Sequence, residues 1–107
     1  IESARANAQR AGVDATFDVG RVEKLAALTN ADTVVVDPPR AGLDPAVIRL
    51  IASSTCERVV YVSCDGATFS RDAQRLQNSG FQCHDIQAFD LFPLTAHVEF
   101  IGTFDRV

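Results

Sequence analysis

Three short clusters in this chain carry side chains that could do chemistry. Asp37-Pro38-Pro39-Arg40 ends one apolar run, Ser63-Cys64-Asp65-Gly66 ends a second, and His97-Val98-Glu99 opens a third. The paired prolines remove two backbone donors and hold the chain extended. That makes a rigid lip for a flat ligand, with the Asp37 carboxylate projecting into it. The same residues also suit a plain strand stop, with Asp37 capping a turn and Arg40 in solvent. Cys64 stands directly before a helix start at Asp65 to Ala67. The partial positive charge of a helix N-terminus favours the nucleophilic thiolate. A free cysteine is more often a small, inert hydrophobe, and Cys56 and Cys83, which lack such a placement, are read that way. Strand alternation puts His97 and Glu99 on one face. A carboxylate between Val98 and Phe100 also fits the outer side of an edge strand, and His84 reads as a surface residue without a role.

The elements that must position these clusters follow from pattern and punctuation. Ser3 to Ala11 reads as a helix stopped by Gly12. Ala15–Val19 reads as a short strand and Val22–Leu28 as a weaker helix, followed by a turn at Thr29-Asn30-Ala31-Asp32. Thr33–Val36 is a β-branched run broken by Asp37, a strand of the kind buried on both faces of a parallel sheet. Pro45, with Asp44 as N-cap, opens a helix to about Ser53. Arg58–Ser63 is a second buried strand, and Asp65 to Ser79 is a helix ended by Gly80. Phe81–Phe89 and His97–Phe104 read as two closing strands joined by an irregular loop through Asp90-Leu91-Phe92-Pro93-Leu94-Thr95. Alternating helices and strands imply an α/β fold with a parallel sheet, here ending in an antiparallel hairpin. Ligands of such sheets bind beyond the carboxyl ends of the strands, where two of the clusters fall.

Composition narrows the function classes. A chain of 107 residues, 47% hydrophobic and 22% charged, holds one globular domain and is neither disordered nor collagenous. No apolar run approaches the roughly 18 residues of a membrane span, and no signal peptide is visible. The net charge of −4 argues against a free-standing nucleic-acid grip. Three cysteines without a CxxC pair make a disulfide framework or zinc site unexpected and point to the reducing cytoplasm. The sequence opens at Ile1 and has no methionine, which is expected of a processed product or an excerpt of something longer.

Taken in order, the clusters resemble one family, the RNA uracil-C5 methyltransferases that make 5-methyluridine with S-adenosylmethionine. The matching stretches are Val34-Val35-Val36-Asp37-Pro38-Pro39-Arg40-Ala41-Gly42, then Val60-Tyr61-Val62-Ser63-Cys64-Asp65, Ala67-Thr68 and Arg71-Asp72. Asp90-Leu91-Phe92-Pro93 with Thr95, His97 and Glu99 closes the match. Amino-group methyltransferases carry similar Asp-Pro-Pro tetrapeptides, but usually with an aromatic residue in place of Arg40 and with no need of a cysteine.

The resemblance implies a Rossmann-like class I methyltransferase fold and a specific route. By match, Cys64 is the nucleophile that adds to C6 of uracil, and Glu99 is the base that takes the C5 proton after methylation. Asp37 lines the junction of cofactor and target base, while Arg40 and His97 support substrate binding. The target base of a folded RNA would have to leave its stack.

The departures define what this chain contains. The family's glycine-rich loop and the acidic residue after the second strand are absent, and Ile1 to Ala11 resembles the helix that follows that second strand. Arg21 stands in Val19-Gly20-Arg21-Val22-Glu23 where a polar or acidic residue is more usual, and Asp65-Gly66 replaces Asn-Pro. Residues 1–107 are therefore expected to be the C-terminal portion of one catalytic domain, inactive alone, acting on tRNA or rRNA in the longer protein. Without the first two strands, Ala15–Val19 should lack its partner beside an open edge at Thr33–Val36. Open edges recruit pairing, so these strands should pair directly or chains should associate. Two other readings stand beside this one: a non-catalytic Rossmann-like binding module, and a cysteine hydrolase using Cys64 and His97.

Overall fold

The computed structural model of the chain describes residues 2–12, 31–90 and 98–107. The strand read at Ala15–Val19, the helix at Val22–Leu28, Arg21 and His97 lie outside the described residues. The elements are α1 (Glu2–Ala11), β1 (Thr33–Val36), α2 (Pro45–Ser53), β2 (Arg58–Ser63), α3 (Gly66–Asn78), β3 (Phe81–Phe89) and β4 (Glu99–Arg106).

Local chemistry explains the helix limits. Proline at the start of α2 gives up an N–H that would have no helical partner anyway. Asp44 caps the same end by accepting from the Ala46 N–H at 2.8 Å. Asp65 caps α3, its carboxylate accepting from the Thr68 N–H at 3.0 Å. Each helix then buries one stripe, Val47, Ile48 and Ile51 on α2 and Phe69, Asp72 and Leu76 on α3.

The sheet order is β1-β2-β4-β3. β1 runs parallel to β2, whereas β4 is antiparallel to both β2 and β3. The sheet is therefore mixed rather than parallel throughout. The expected antiparallel pair at the end is present, with β4 folded back between β2 and β3.

β4 also lies two residues later than expected. Asp105 pairs with Arg58 in register and Arg106 with Phe81, which draws the strand on past Phe104. Asp105 in turn receives Arg58 at 2.7 Å and His84 at 2.9 Å.

Helices α2 and α3 pack on the same face of the sheet and enclose one core. Tyr61, Phe81, Phe104, Ile51 and Leu76 are its largest fully buried side chains. Each contributes roughly 1.5–3 kcal/mol by leaving water. Phe69 lies over Gly102, where a Cβ would come within 2.6 Å of its ring. Its ring also meets Tyr61 edge-on at 5.4 Å.

The opposite face is covered by neither α2 nor α3. The expectation that Thr33–Val36 is buried on both sides is thus corrected. Val34 and Val36 pack on the core, while Val35 is 66% exposed. Among the described residues no helix is long and apolar enough to cross a membrane.

Candidate active site at the carboxyl end of the sheet

The strand order places three of the sequence candidates on three adjacent strands at one end of the sheet. Asp37 follows the last residue of β1, Cys64 follows the last residue of β2, and Glu99 is the first residue of antiparallel β4. Ser63 pairs with Phe100, so the next residues outward, Cys64 and Glu99, leave neighbouring strands at the same level. Neighbouring strands stand about 4.8 Å apart.

Asp37 and Glu99 line one open groove of about 360 Å³, walled by Val62, Ile101 and Phe89. Cys64 and Arg40 are not among its lining residues. Cys64 is exposed at the turn into α3. Arg40 is exposed on the loop after β1 and near enough to act on the charge of Asp65.

The turn that presents Cys64 is fixed from within. The buried Ser63 hydroxyl donates to the Asp65 carbonyl at 3.0 Å and accepts from the Asp65 N–H at 3.1 Å, bridging the residue between them. The Asp65 carboxyl is held below the usual carboxylate range, chiefly by the Thr68 N–H, with the Thr68 hydroxyl, the Ala67 N–H and Arg40 adding to it against partial burial. The other cysteines behave as packing residues. Cys56 is fully buried and its thiol donates to the Arg58 carbonyl at 2.9 Å, while Cys83 is half-buried. Among the described residues no cluster of His, Cys, Asp and Glu could hold a metal ion.

A second layer of residues holds the loop that carries Asp37 and Arg40. Asp72 is completely buried. It accepts from the Leu43 N–H at 2.8 Å and from the Tyr61 hydroxyl at 2.5 Å. Burial first, then the neighbouring Asp72 carboxylate, raise the Tyr61 phenol well above its ordinary range, so it remains a donor. Sequence reasoning gave Ser63, Tyr61, Thr68 and Asp72 no role. The available signal was an acidic residue on the apolar stripe of α3, between Phe69 and Leu76.

Comparison with known proteins places the chain in a family. Residues 15–105 match the family model described as tRNA (Uracil-5-)-methyltransferase. An uncharacterized RNA methyltransferase of Gloeobacter violaceus is 46% identical over 107 residues, covering 99% of this chain and 23% of that protein. The tRNA (uracil(54)-C(5))-methyltransferase of Pyrococcus horikoshii is 43% identical, covering 95% of this chain and 24% of that protein.

Among solved structures, the Pyrococcus abyssi tRNA (uracil-54, C5)-methyltransferase in complex with S-adenosyl-L-homocysteine superposes with a TM-score of 0.87 at 39% identity. That match covers 97% of this chain and 26% of the other. An E. cuniculi complex that methylates a translation termination factor shares the fold alone, with a TM-score of 0.57 at 15% identity over 99% of this chain and 77% of that one. The chain thus spans about a quarter of the length of the curated relatives it matches. Matched over nearly its whole length, and with Asp37, Cys64 and Glu99 gathered at one end of the sheet, the chain belongs to the tRNA (uracil-5-)-methyltransferase family.

Proposed function

We propose that the chain is the C-terminal portion of the catalytic domain of an enzyme that methylates C5 of a uridine in tRNA or rRNA. The observation that carries this reading is that Asp37, Cys64 and Glu99 stand at the same end of three adjacent strands, with the two carboxylates lining one groove. Uracil C5 is a weak nucleophile. The Cys64 thiolate adds to C6 and leaves C5 enolate-like, able to take a methyl group. Glu99 then accepts the C5 proton, and the returning electron pair expels the Cys64 thiolate. The ring regains its C5–C6 double bond, and the nucleotide, still in the RNA chain, is released from Cys64 as 5-methyluridine. Asp37 and Arg40 orient the base from the Pro38-Pro39 lip, and His97 belongs to the same substrate contacts.

The residues present fit one side of an S-adenosylmethionine site. Two carboxylates on an apolar-walled groove suit a cationic sulfonium beside a flat base. Asp37 is the residue of this chain that would hold the cofactor, which supplies an electrophilic methyl group when bound. The family's glycine-rich loop and second-strand acid are not in these 107 residues. Taken alone, the chain is therefore expected to be inactive, and Thr33–Val36, the end strand of the described sheet, to pair with Ala15–Val19 directly or with another chain. Free thiols at Cys56, Cys64 and Cys83 support a reducing cytoplasmic setting.

The test is methyl transfer from labelled S-adenosylmethionine to RNA by the full-length enzyme, with nucleoside analysis of the product. Labelled 5-methyluridine that disappears on Cys64→Ala supports the reading. Retained function in that variant would favour a binding module, and cofactor-free ester or amide cleavage would favour a cysteine hydrolase.

A further inference from the structure

The loop after β1 has an unusual supply problem. Pro38 and Pro39 have no N–H to donate, and among the described residues the backbone bond inside the loop is Gly42 N–H to the Pro39 carbonyl at 2.8 Å. Its remaining ties come from one face of α3. The Thr68 hydroxyl donates to the Arg40 carbonyl at 2.8 Å, and the Arg71 guanidinium donates to the Ala41 carbonyl. Asp72 accepts from the Leu43 N–H at 2.8 Å. Positions three and four apart share a helix face, so Thr68, Arg71 and Asp72 read the loop backbone residue by residue.

The fit leaves no room for a side chain at Gly42. Gly42 has φ +86°, and a Cβ there would lie 2.2 Å from Arg71 Nη2 and 2.6 Å from Asp72 Oδ2. The centre of the contact is a carboxylate with no exposure, further bonded to Tyr61 on β2 and flanked by Arg71 and Arg75 at 3.5 Å. Burying charge is a poor way to gain stability, since apolar residues of similar volume often serve as well or better. What a buried, fully bonded carboxylate gives is a fixed geometry. Here the geometry is specific: the N-terminus of α3 begins beside Cys64, and its flank grips the loop bearing Asp37 and Arg40.

We propose that this face of α3, centred on Asp72, is a positioning clamp that sets where Asp37 and Arg40 stand relative to Cys64. The inference rests on the uridine-methylation reading above. Asp72 touches no reacting atom; it acts through the loop.

The test uses the full-length enzyme with Asp72→Asn, Asp72→Ala and Thr68→Val. It measures single-turnover methyl transfer at saturating RNA and cofactor, normalised to folded protein. Misplacement of reacting groups by about 1 Å can cost roughly 100-fold in rate. Asp72→Ala is expected to fall about 10–100-fold. Asp72→Asn keeps an oxygen for Leu43 and Tyr61 and should restore most of that rate. Thr68→Val removes the hydroxyl's tie to the Arg40 carbonyl and its smaller hold on the Asp65 carboxyl, but keeps the Thr68 N–H that caps α3, so it should slow turnover several-fold while thermal stability barely moves.

If Asp72→Ala does not fold, Thr68→Val decides the matter. An unchanged saturated rate in folded Thr68→Val, or equal rates in folded Asp72→Ala and the parent, overturns the clamp. The parent and Cys64→Ala separate the two claims. If the parent makes no 5-methyluridine, the functional reading fails and takes the clamp with it. If Cys64→Ala is inactive while the clamp variants match the parent, only the clamp fails.

Discussion

The two ends of the sheet solve the same problem with opposite charges and leave different things exposed. At the amino end of β2, Arg106 gathers loose carbonyls. Its guanidinium donates to Cys56 O at 2.8 Å, Ser54 O at 3.1 Å, Ala52 O at 3.3 Å and Ile51 O at 3.4 Å, and lies 4.6 Å from the Phe81 ring centre. That closes the C-terminus of α2, whose last carbonyls have no helical partner. The nearby cysteine, Cys56, is sealed into the core. At the carboxyl end, Asp72 gathers an N–H and a hydroxyl, and the proposed site residues stay open: Asp37, Arg40 and Cys64 are all exposed. One end is closed for stability. The other is tied from beneath by Asp72, under a surface left exposed.

The sharpest way to break this contrast is to exchange the fates of the two cysteines. In the full-length enzyme, Cys64→Ala should lower methyl transfer by at least about 10³-fold, as loss of a covalent nucleophile does, with an unchanged melting temperature. Cys56→Ala should cost roughly 1 kcal/mol of stability and leave the rate per folded molecule intact. Parallel activity and unfolding measurements read both. Glu99→Gln comes next, with turnover expected to fall about 10²–10⁴-fold, the range for losing a positioned base, while RNA linked to Cys64 accumulates on denaturing gels.

Arg106→Ala probes the closed end. It should destabilise by about 2 kcal/mol through the lost bonds to the Cys56, Ser54 and Ala52 carbonyls, Ile51 O keeping its Ser54 donors, without altering the rate of the molecules that remain folded.

The smallest effect is a pH dependence of the Asp72 contact. Because the Tyr61 phenol is raised in the folded state, its stabilisation is complete below the unfolded phenol pKa of about 10. It is lost as pH rises beyond that toward the folded value. Tyr61→Phe should be less stable at neutral pH and show a shallower alkaline decline in denaturant titrations.

Much of this was legible in the sequence, for physical reasons that can be named. Asp44 before Pro45, Asp65 before α3 and Gly80 after it are local punctuation, and those helix limits came within a residue or two. β1 and β2 came with their full extents, because Asp37-Pro38-Pro39 stops the first apolar run and the Asp65-Gly66 helix start follows closely on the second. What sequence could not supply was long-range. That β4 enters between β2 and β3 depends on pairing across the whole domain, and that pairing is what sets Glu99 beside the strand ending at Cys64. Exposure of Val35 was missed because α2 and α3 both pack on the other face. Asp72 was read only as part of a motif, since a carboxylate on a helix gives no local sign that it is buried against a distant N–H. The sequence-level grouping of Asp37, Cys64 and Glu99 rested on resemblance, and the groove shared by Asp37 and Glu99 gives two of them a common physical place.

The most direct test of the central claim is denaturing mass spectrometry of the full-length enzyme incubated with S-adenosylmethionine and RNA containing 5-fluorouridine. Fluorine at C5 cannot leave as a proton does, so the thiolate addition should stall as a stable protein–RNA adduct after methylation. The account predicts an RNA-linked peptide that maps to Cys64 and is absent from Cys64→Ala. No adduct in an enzyme shown to bind its cofactor, or an adduct on Cys56 or Cys83, would contradict it.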